Sequence, residues 1–392
     1  MTEPAGAGQA LPRSFLRVGG ASVAQHQLGL ALALDCQRVI CLARGTSPEL
    51  IEVQHAAEDA GLQFHIATHA RQLSGLVTAT DELLVVGEGL FVDPGNVMPL
   101  FEGRTPVVLV LPAEGALAAG FERIDLNRAA AGLVRVPGQL VERLHELPTD
   151  CDISSALTRI ALQSGVKMRE VPPAARAGTG WRLIRNETEA YAVENEWLNE
   201  QFSNGRSSPG RAIARFATIT FGSSLLHAGN ASNAASVAVL AVLVLAAGLG
   251  WFGVVWAGFL CAAIAWLTVE AVRLLRLAER QAMGQLPPAI TRSDALGWLV
   301  DAAFGMLSLA GMPRMPGEAF LSWIFPPAML LMLLVLVPSL LAGTAATWIR
   351  DRALLGALLA LAAALGQLEI MIELLAIGLV LAALFVPMRR QD

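Results

Sequence analysis

Charged side chains inside apolar stretches are the residues of this sequence best placed to do chemistry. Glu270 and Arg273 lie in one apolar run, Asp301 in the next, and Glu369 and Glu373 in the last. Burying an unpaired charge in a membrane costs about 2.5–3.5 kcal/mol even on insertion scales, so such groups are functional by default. The carboxylates are candidate catalytic groups and metal ligands. A structural intramembrane pairing of Glu270 and Asp301 with Arg273 is the alternative.

Glu369 and Glu373 are four residues apart and therefore share one face of a predicted helix. Two interpretations are open for this pair of intramembrane carboxylates. They line a cavity, or they lie at the membrane interface.

Composition indicates that a soluble part is joined to a membrane part. The 392 residues are 54% hydrophobic and 16% charged, against roughly 25% charged in soluble domains. The shortage of charge is uneven, because only 15 of the 158 residues from Ala231 to Met388 are Asp, Glu, Lys or Arg. A net charge of −5 gives no overall basic footprint, so no nucleic-acid partner is expected.

The apolar half divides into six runs, and a membrane span needs about 20 apolar residues. Gly366 and Gln367 interrupt the last long stretch and predict a hairpin there. The sequence therefore predicts six spans, of which the third and fifth are short: 233–252, 253–275, 295–311, 319–342, 353–366 and 368–388.

The arginines outside the spans predict the orientation. Ten of them fall on one side of a six-span arrangement, and Arg314 alone falls on the other. Arginine is enriched on the cytoplasmic side of membranes. We therefore expect a multi-pass protein of the cell inner membrane with both termini in the cytoplasm. Residues 1–10 lack the features of a signal peptide and are expected to be disordered.

The first half alternates strand-like and helical patterns. Short runs rich in Val, Ile and Leu predict buried parallel strands, and helical spacing at 21–35, 48–60 and 69–77 separates them. This pattern predicts an α/β, doubly wound sheet, a fold that binds ligands at the carboxyl ends of its strands. The predicted strands are 37–43, 63–68, 82–86 and 106–112.

Three motifs between residues 11 and 200 resemble sugar-phosphate and inositol-phosphate nucleotidyltransferases. The stretch PRSFLRVGG from Pro12 is similar to that family's PKPLLPVGG segment, LVVGEGLF from Leu84 to its VVxGDxxF strand end, and GTGWRLIRNETEA from Gly178 to its closing WxDIDTPED element. The resemblance implies a Rossmann-like nucleotidyltransferase domain over residues 11–205. Arg13 would bind substrate in place of a lysine, and Glu88 in place of a metal-binding aspartate. The family's opening strand and glycine-rich loop have no counterpart.

The apolar half resembles CDP-alcohol phosphatidyltransferases, which carry DxxDGxxAR and GxxxDxxxD on successive spans. The counterparts are TVEAVR from Thr268 and GWLVDAAFG from Gly297. By this resemblance Glu270 and Asp301 would be residual catalytic and metal-binding groups, with Mg²⁺ or Mn²⁺ as cofactor. Arg273 and Gly297 would bind substrate. The base position is Gly305. Residues 206–230 resemble the family's interfacial amphipathic helix and its linker, and residues 231–392 its six-helix, all-α transmembrane domain.

Both resemblances together imply a bifunctional arrangement of the kind used in phospholipid and inositol-phosphate synthesis. Because most motif aspartates are replaced, one hypothesis is a pseudoenzyme that acts as partner or regulator, as a homodimer or heterodimer through its spans. A second is a divergent phosphotransferase that holds one metal ion and takes a CDP-alcohol or nucleotide. A third is a lipid-binding or transport-related membrane protein. Membrane lipid is a partner in each.

Overall fold

The computed structural model describes residues 1, 3–5, 11–103, 105–146, 152–203, 208–227, 231–282, 292–313, 319–341 and 344–385. The chain divides into two compact units. The N-terminal unit is built from Met1–Gln201. The helical unit contains Phe202–Ala278 and the helices that follow residue 291.

The N-terminal unit mixes short strands with helices. Its strands are β1 (Arg17–Val18), β2 (Ala21–Ser22), β3 (Arg38–Leu42), β4 (Gln63–Ala67), β5 (Glu82–Val86), β6 (Leu90–Val92), β7 (Val107–Pro112), β8 (Arg128–Pro137), β9 (Lys167–Glu170) and β10 (Trp181–Leu183). Its helices are α1 (Val23–Ala33), α2 (Pro48–Asp59), α3 (Ala70–Leu76), α4 (Pro94–Val97), α5 (Ala113–Ala116), α6 (Ile153–Gln163), α7 (Pro173–Arg176) and α8 (Glu187–Ser203), with 3-10 turns at Arg13–Phe15, Met98–Phe101 and Gly138–Glu146.

The strands form small sheets, and the expectation of one doubly wound parallel sheet is corrected here. A four-stranded sheet has the order β5-β8-β7-β9, and β3 pairs with β4 in a separate parallel sheet. Strand β8, which the sequence patterns did not predict, is antiparallel to both β5 and β7. The reason is the connection after β7, which closes on itself where Ala113 N–H donates to the Asn127 carbonyl. The chain therefore reverses instead of crossing over, and reversal gives antiparallel pairing.

The four-stranded sheet is covered on both faces, as its alternating residues show. Leu109 and Leu133 pack with Leu30 of α1 on one face. Val108 and Val134 pack with residues of α6 on the other face. An α/β N-terminal part was expected, and this mixed architecture confirms it.

The second unit is entirely helical among the described residues. Its helices are α9 (Pro209–His227), α10 (Ala231–Trp251), α11 (Val255–Ala282), α12 (Arg292–Gly311), α13 (Phe320–Leu340), α14 (Thr344–Ile349), α15 (Arg352–Ala364) and α16 (Leu368–Phe385). Each predicted apolar run overlaps one of them, and the predicted turn at Gly366 separates α15 from α16. Helix α14 was not predicted.

Within the part of the chain that the structure describes, three of these helices are long and apolar enough to cross a membrane. They are Val255–Leu274 within α11, then α13 and α16. Apolar segments of α10 and α15 are shorter, at Ser236–Trp251 and Arg352–Ala364. The prediction that this half contains helices able to cross a membrane is confirmed by their length and composition.

The core of the helical unit depends on close approach of α11, α12 and α15. The rings of Phe259 and Phe304 stack with centroids 5.9 Å apart. Gly356 of α15 lies against them, and a Cβ at that position would be 2.8 Å from the Cβ of Ala263. The absence of a side chain at Gly356 lets α15 approach α11 this closely.

His26 makes the stability of the N-terminal unit dependent on pH. It lies buried in α1, where Nε2 is 2.9 Å from the Val18 carbonyl oxygen and the ring contacts Phe91 and Trp197 edge-on. Burial lowers the pKa of His26 from 6.5 to about 4. The unfolded chain therefore takes up the proton first as the pH falls. The contribution of neutral His26 to stability is complete above pH 6.5 and is lost toward pH 4.

We expect α1 to lose up to about 3 kcal/mol of protection between pH 6.5 and pH 4. Hydrogen exchange of α1 amides in the full-length protein, corrected for intrinsic exchange, measures this loss. His26→Gln should remove most of the pH dependence. His55→Gln, a change at an exposed histidine, should leave it intact. Equal pH dependence in wild type and His26→Gln would contradict the assignment.

Candidate functional site

Glu270 is only 3% exposed and holds two arginines. It lies on α11, where Oε1 is 2.9 Å from Arg211 Nε and Oε2 accepts a 3.1 Å hydrogen bond from Arg273. Arg273 also donates to Asp294 Oδ1 at 2.8 Å. The four side chains alternate in charge and connect α9, α11 and α12. Arg273, the predicted substrate-binding residue, thus contacts Glu270 as a structural pairing requires.

Asp301 lies two turns after Asp294 on α12 and has a different partner. Arg352 Nε donates to Asp301 Oδ1 at 2.8 Å, and the Nη2 of the same guanidinium donates to Oδ2 at 3.2 Å. This is a bidentate arrangement, the geometry in which an arginine–carboxylate pair is strongest. Arg352 is 8% exposed, so the pair is largely shielded from water.

Arg352 also compensates for a proline in α13. Pro338 has no N–H, so the Leu334 carbonyl four residues earlier has no helical partner. Nη2 of Arg352 donates to that carbonyl at 3.4 Å, and Nη1 donates to the Ile349 carbonyl. One guanidinium therefore connects α15 to α12 and α13.

Asp351, next in sequence to Arg352, caps two helices with one buried carboxylate. Oδ1 accepts from the N–H groups of Ala353 and Leu354 at the start of α15. Oδ2 accepts a 2.6 Å hydrogen bond from the N–H of Gly210 at the start of α9. Free N–H groups and the positive end of the helix dipole favour a carboxylate at both places.

The donor set at this end of the helical unit does not fit a divalent cation. Both oxygens of Glu270 and both oxygens of Asp301 contact guanidinium groups, whereas Mg²⁺ requires carboxylate or phosphate oxygens directed at the ion. Among the described residues, no group of three or more His, Cys, Asp or Glu side chains is arranged to hold a metal ion. The arrangement is self-neutralised and holds helices together.

Gly297 lies on α12 between Asp294 and Asp301, on the same face. A Cβ at Gly297 would meet no atom within 4 Å, so the space beside it is open. The resemblance assigns Arg273 and Gly297 of this unit to substrate binding. Arg273 is engaged in ion pairs, whereas the space beside Gly297 is open.

Glu369 and Glu373 lie apart from these pairs, in the first two turns of α16. Both side chains are exposed, and neither forms an ion pair with a described residue. Exposed positions near a helix end favour the interface interpretation over a cavity within this unit.

In the N-terminal unit the structure brings Arg13 and Glu88 together just beyond the carboxyl end of β5. Ser14 Oγ donates to Glu88 Oε1 at 3.0 Å, and Arg13 forms an ion pair with Glu3. Between them Gly89 has a φ of +79°, and a Cβ there would be 2.7 Å from Arg13 Cδ. The glycine lets the arginine side chain lie directly against the backbone.

Sequence reasoning did not assign the partners in the helical unit. By position alone, Arg211 and Arg352 are two of the ten arginines that predict the orientation of the spans, and no role is predicted for Asp294 or Asp351. Two signals could have revealed them: an aspartate directly before an apolar helix is a good N-cap, and Pro338 inside a helix requires a donor for the carbonyl four residues earlier.

Comparison with known proteins gives no family for this chain. No protein-family model matches it, and no curated protein matches it significantly.

Removing Arg352 should destabilise the helical unit more than removing its charge partner. Arg352→Met leaves Asp301 unpaired and the Leu334 carbonyl without a donor, and breaking such a buried pair costs about 3–5 kcal/mol. Thermal unfolding of the detergent-purified protein should show a large decrease in Tm. Arg352→Lys keeps the charge but cannot form the bidentate contact, so its Tm should lie between the Tm values of wild type and Arg352→Met. The decrease in Tm of the double variant Arg352→Met with Asp301→Asn should be smaller than the sum of the decreases of the two single variants. Additive decreases in Tm would contradict an interaction between Arg352 and Asp301.

Gly210→Ala tests the shared cap. A Cβ at Gly210 would lie 2.3 Å from Asp351 Oδ1 and 2.8 Å from the Ala353 Cβ, so α9 must move away from α15. We expect a decrease in Tm although alanine favours helix by about 1 kcal/mol over glycine. Gly378→Ala on α16, where no atom lies within 4 Å of the added Cβ, is the matched control and should not lower Tm. Equal Tm values for the two variants would rule out the contact.

Proposed function

We propose that this chain is an integral membrane protein related to phospholipid or inositol-phosphate synthesis, catalytically impaired, which acts as partner or regulator of an active enzyme. The membrane-crossing helices support the membrane location. The motif resemblances to nucleotidyltransferases and CDP-alcohol phosphatidyltransferases support the pathway class.

One observation carries the proposal of impaired catalysis. In the resembled family the carboxylates hold a metal that neutralises the CDP pyrophosphate, and the last aspartate removes the acceptor proton. Here Glu270 and Asp301 each hold arginine through both oxygens, and the base position is Gly305. Freeing Asp301 for a metal would leave the buried guanidinium of Arg352 without its charge partner, which costs several kcal/mol.

The proposed topology has six spans and both termini in the cytoplasm of an inner membrane. Ten orientation arginines on one side support it. In that arrangement the ends of α11 and α13 and the starts of α12 and α15 share the cytoplasmic side. Two contacts are consistent with this. Arg273 with Asp294 joins the end of the apolar part of α11 to the start of α12, and Arg352 with the Leu334 carbonyl joins the start of α15 to the last two turns of α13.

The proposed role as partner or regulator requires that this chain associates with another protein through its membrane spans. Helix α16 leaves a long apolar face exposed, including Ile370, Ile377 and Leu384. In a membrane this face contacts lipid or another span. A homodimer or a heterodimer with an intact paralogue would both use such a face.

The deciding experiment measures CMP release by the purified full-length protein. The protein is incubated with a CDP-alcohol, a radiolabelled acceptor alcohol and Mg²⁺ or Mn²⁺, because transfer of the phosphoalcohol group to the acceptor releases CMP. We expect release at background, equal to that of Asp301→Ala prepared identically. Turnover of about 1 s⁻¹ or faster that is lost in Asp301→Ala would contradict the proposal and establish a divergent phosphotransferase.

A second arm tests the partner role directly. The chain is co-expressed with a tagged paralogue that has complete aspartate motifs, and the pair is purified through the tag. Co-elution together with a changed turnover of the paralogue is the expected result. Neither effect, with a tightly co-purified lipid identified by mass spectrometry, would favour the lipid-binding alternative.

A further inference from the structure

Arg135 of β8 is a buried cation that forms no ion pair with a described residue. It lies two residues after Leu133, on the face of the four-stranded sheet that packs against α1, and is 9% exposed. Nη1 donates to the Phe101 carbonyl at 3.0 Å, and the guanidinium lies 4.7 Å from the centroid of the Phe101 ring. A carbonyl and a ring offer only partial negative charge, whereas a buried charge ordinarily has a charged partner. These contacts therefore leave the charge of Arg135 uncompensated.

A second guanidinium reaches the neighbouring carbonyl from β9. Nη1 of Arg169 donates to the Leu100 carbonyl at 2.6 Å, and this exposed arginine also lacks an ion pair within the described part of the chain. Leu100 and Phe101 end one 3-10 turn, and adjacent Cα atoms are about 3.8 Å apart. Two positive charges therefore lie at one small patch, the paired-arginine site, formed by Arg135, Arg169 and the carbonyls of Leu100 and Phe101.

The groups next to the paired-arginine site do not supply the missing negative charge. Glu102 follows Phe101 directly and Asp35 precedes Cys36, and both carboxylates are exposed and form no ion pair with a described residue. Cys36 is within electrostatic range of Arg135, but burial raises the pKa of its thiol from the usual value of 9.0, against the smaller opposing effect of the arginine. The thiol is therefore neutral at pH 7.

We propose that the paired-arginine site binds a phosphate-type dianion, held by N–H groups of both guanidiniums. Each arginine uses Nη1 on its carbonyl, and the rest of each five-donor fork is left for ligand oxygens. A dianion matches two positive charges. It relieves the repulsion between them and supplies the charged partner that buried Arg135 lacks.

This place differs from the one that the nucleotidyltransferase resemblance gives to substrate. That position follows the carboxyl end of β5, at Glu88. Arg135 lies opposite Leu84, in the middle of β5, and opposite Val107, the first residue of β7. Because β5 and β7 run in the same direction, the arginine lies toward their amino ends, away from the edge where α/β folds bind substrates. The inference therefore does not depend on the proposed function, whose test is CMP release.

Isothermal titration of the purified full-length protein with inorganic phosphate tests the site. We expect saturable binding by wild type. Arg169→Gln should weaken it about tenfold or more, because a hydrogen bond between charged groups is lost at an exposed position where folding is not at risk. Arg135→Lys keeps the buried charge but loses the fork, and should also weaken binding.

The matched control is Arg128→Gln. Arg128 is an exposed arginine on the same sheet, also without an ion pair to a described residue, but it lies at the other end of β8. Its loss should leave phosphate affinity unchanged. Added phosphate should also slow hydrogen exchange of the amides in residues 98–102. No saturable binding, equal affinity in wild type and Arg169→Gln, or an equal loss in Arg128→Gln would each overturn the proposal.

A second titration distinguishes a free phosphate from a lipid headgroup as the source of the dianion. Short-chain phosphatidic acid replaces inorganic phosphate, and short-chain phosphatidylcholine is its control. Tighter binding of phosphatidic acid than of phosphate, lost in Arg169→Gln, would assign the site to a headgroup. Equal affinity for the two, with the same dependence on Arg169, would assign it to a soluble phosphate compound. Binding of phosphatidic acid that is unchanged in Arg169→Gln would contradict a headgroup at this site.

Discussion

The helical unit depends on satisfying polar backbone groups where helices begin, end or contain proline. In apolar surroundings an unbonded N–H or carbonyl costs several kcal/mol, and water is not there to replace the missing partner. Two adjacent residues meet much of this demand. Asp351 accepts from the starts of α9 and α15, and Arg352 donates to the carbonyl that Pro338 leaves free in α13 and to Asp301 of α12. One dipeptide thereby fixes the relative positions of four helices.

The same pairing decides what chemistry this end of the unit can support. A carboxylate whose two oxygens both contact guanidinium groups is already neutralised by arginine, and the nearby positive charge disfavours a divalent cation at the same oxygens. Glu270 and Asp301 are both in that state, and Arg273 is shared between Glu270 and Asp294. Charges that the resembled enzymes direct toward substrate are here directed toward neighbouring helices, so the sequence changes and the geometry point to the same loss.

Local patterns predicted the positions of elements well and their partners poorly. The four predicted strands and three helices of the first half correspond to β3, β4, β5, β7 and α1 to α3. Strand β8 was missed because RAAAGLVRVP contains alanines, a glycine and two arginines instead of a β-branched run. Which arginine meets which carboxylate depends on contacts as distant as residue 301 to residue 352, and no spacing rule reaches that far. Asp301 was therefore grouped with Glu270 and Arg273, whereas it pairs with Arg352.

Both units contain arginines neutralised by their own chain, but the degree of burial separates the two cases. Arg352 and its partner have side chains 9% and 24% exposed, and two carbonyls also hold the guanidinium. Arg13 is 21% exposed and its partner Glu3 47%. Solvent weakens the second pair, whereas opening the first would disconnect three helices. The difference in burial therefore explains why the Arg352 pair contributes to holding the helical unit together, whereas the Arg13 pair contributes little to stability.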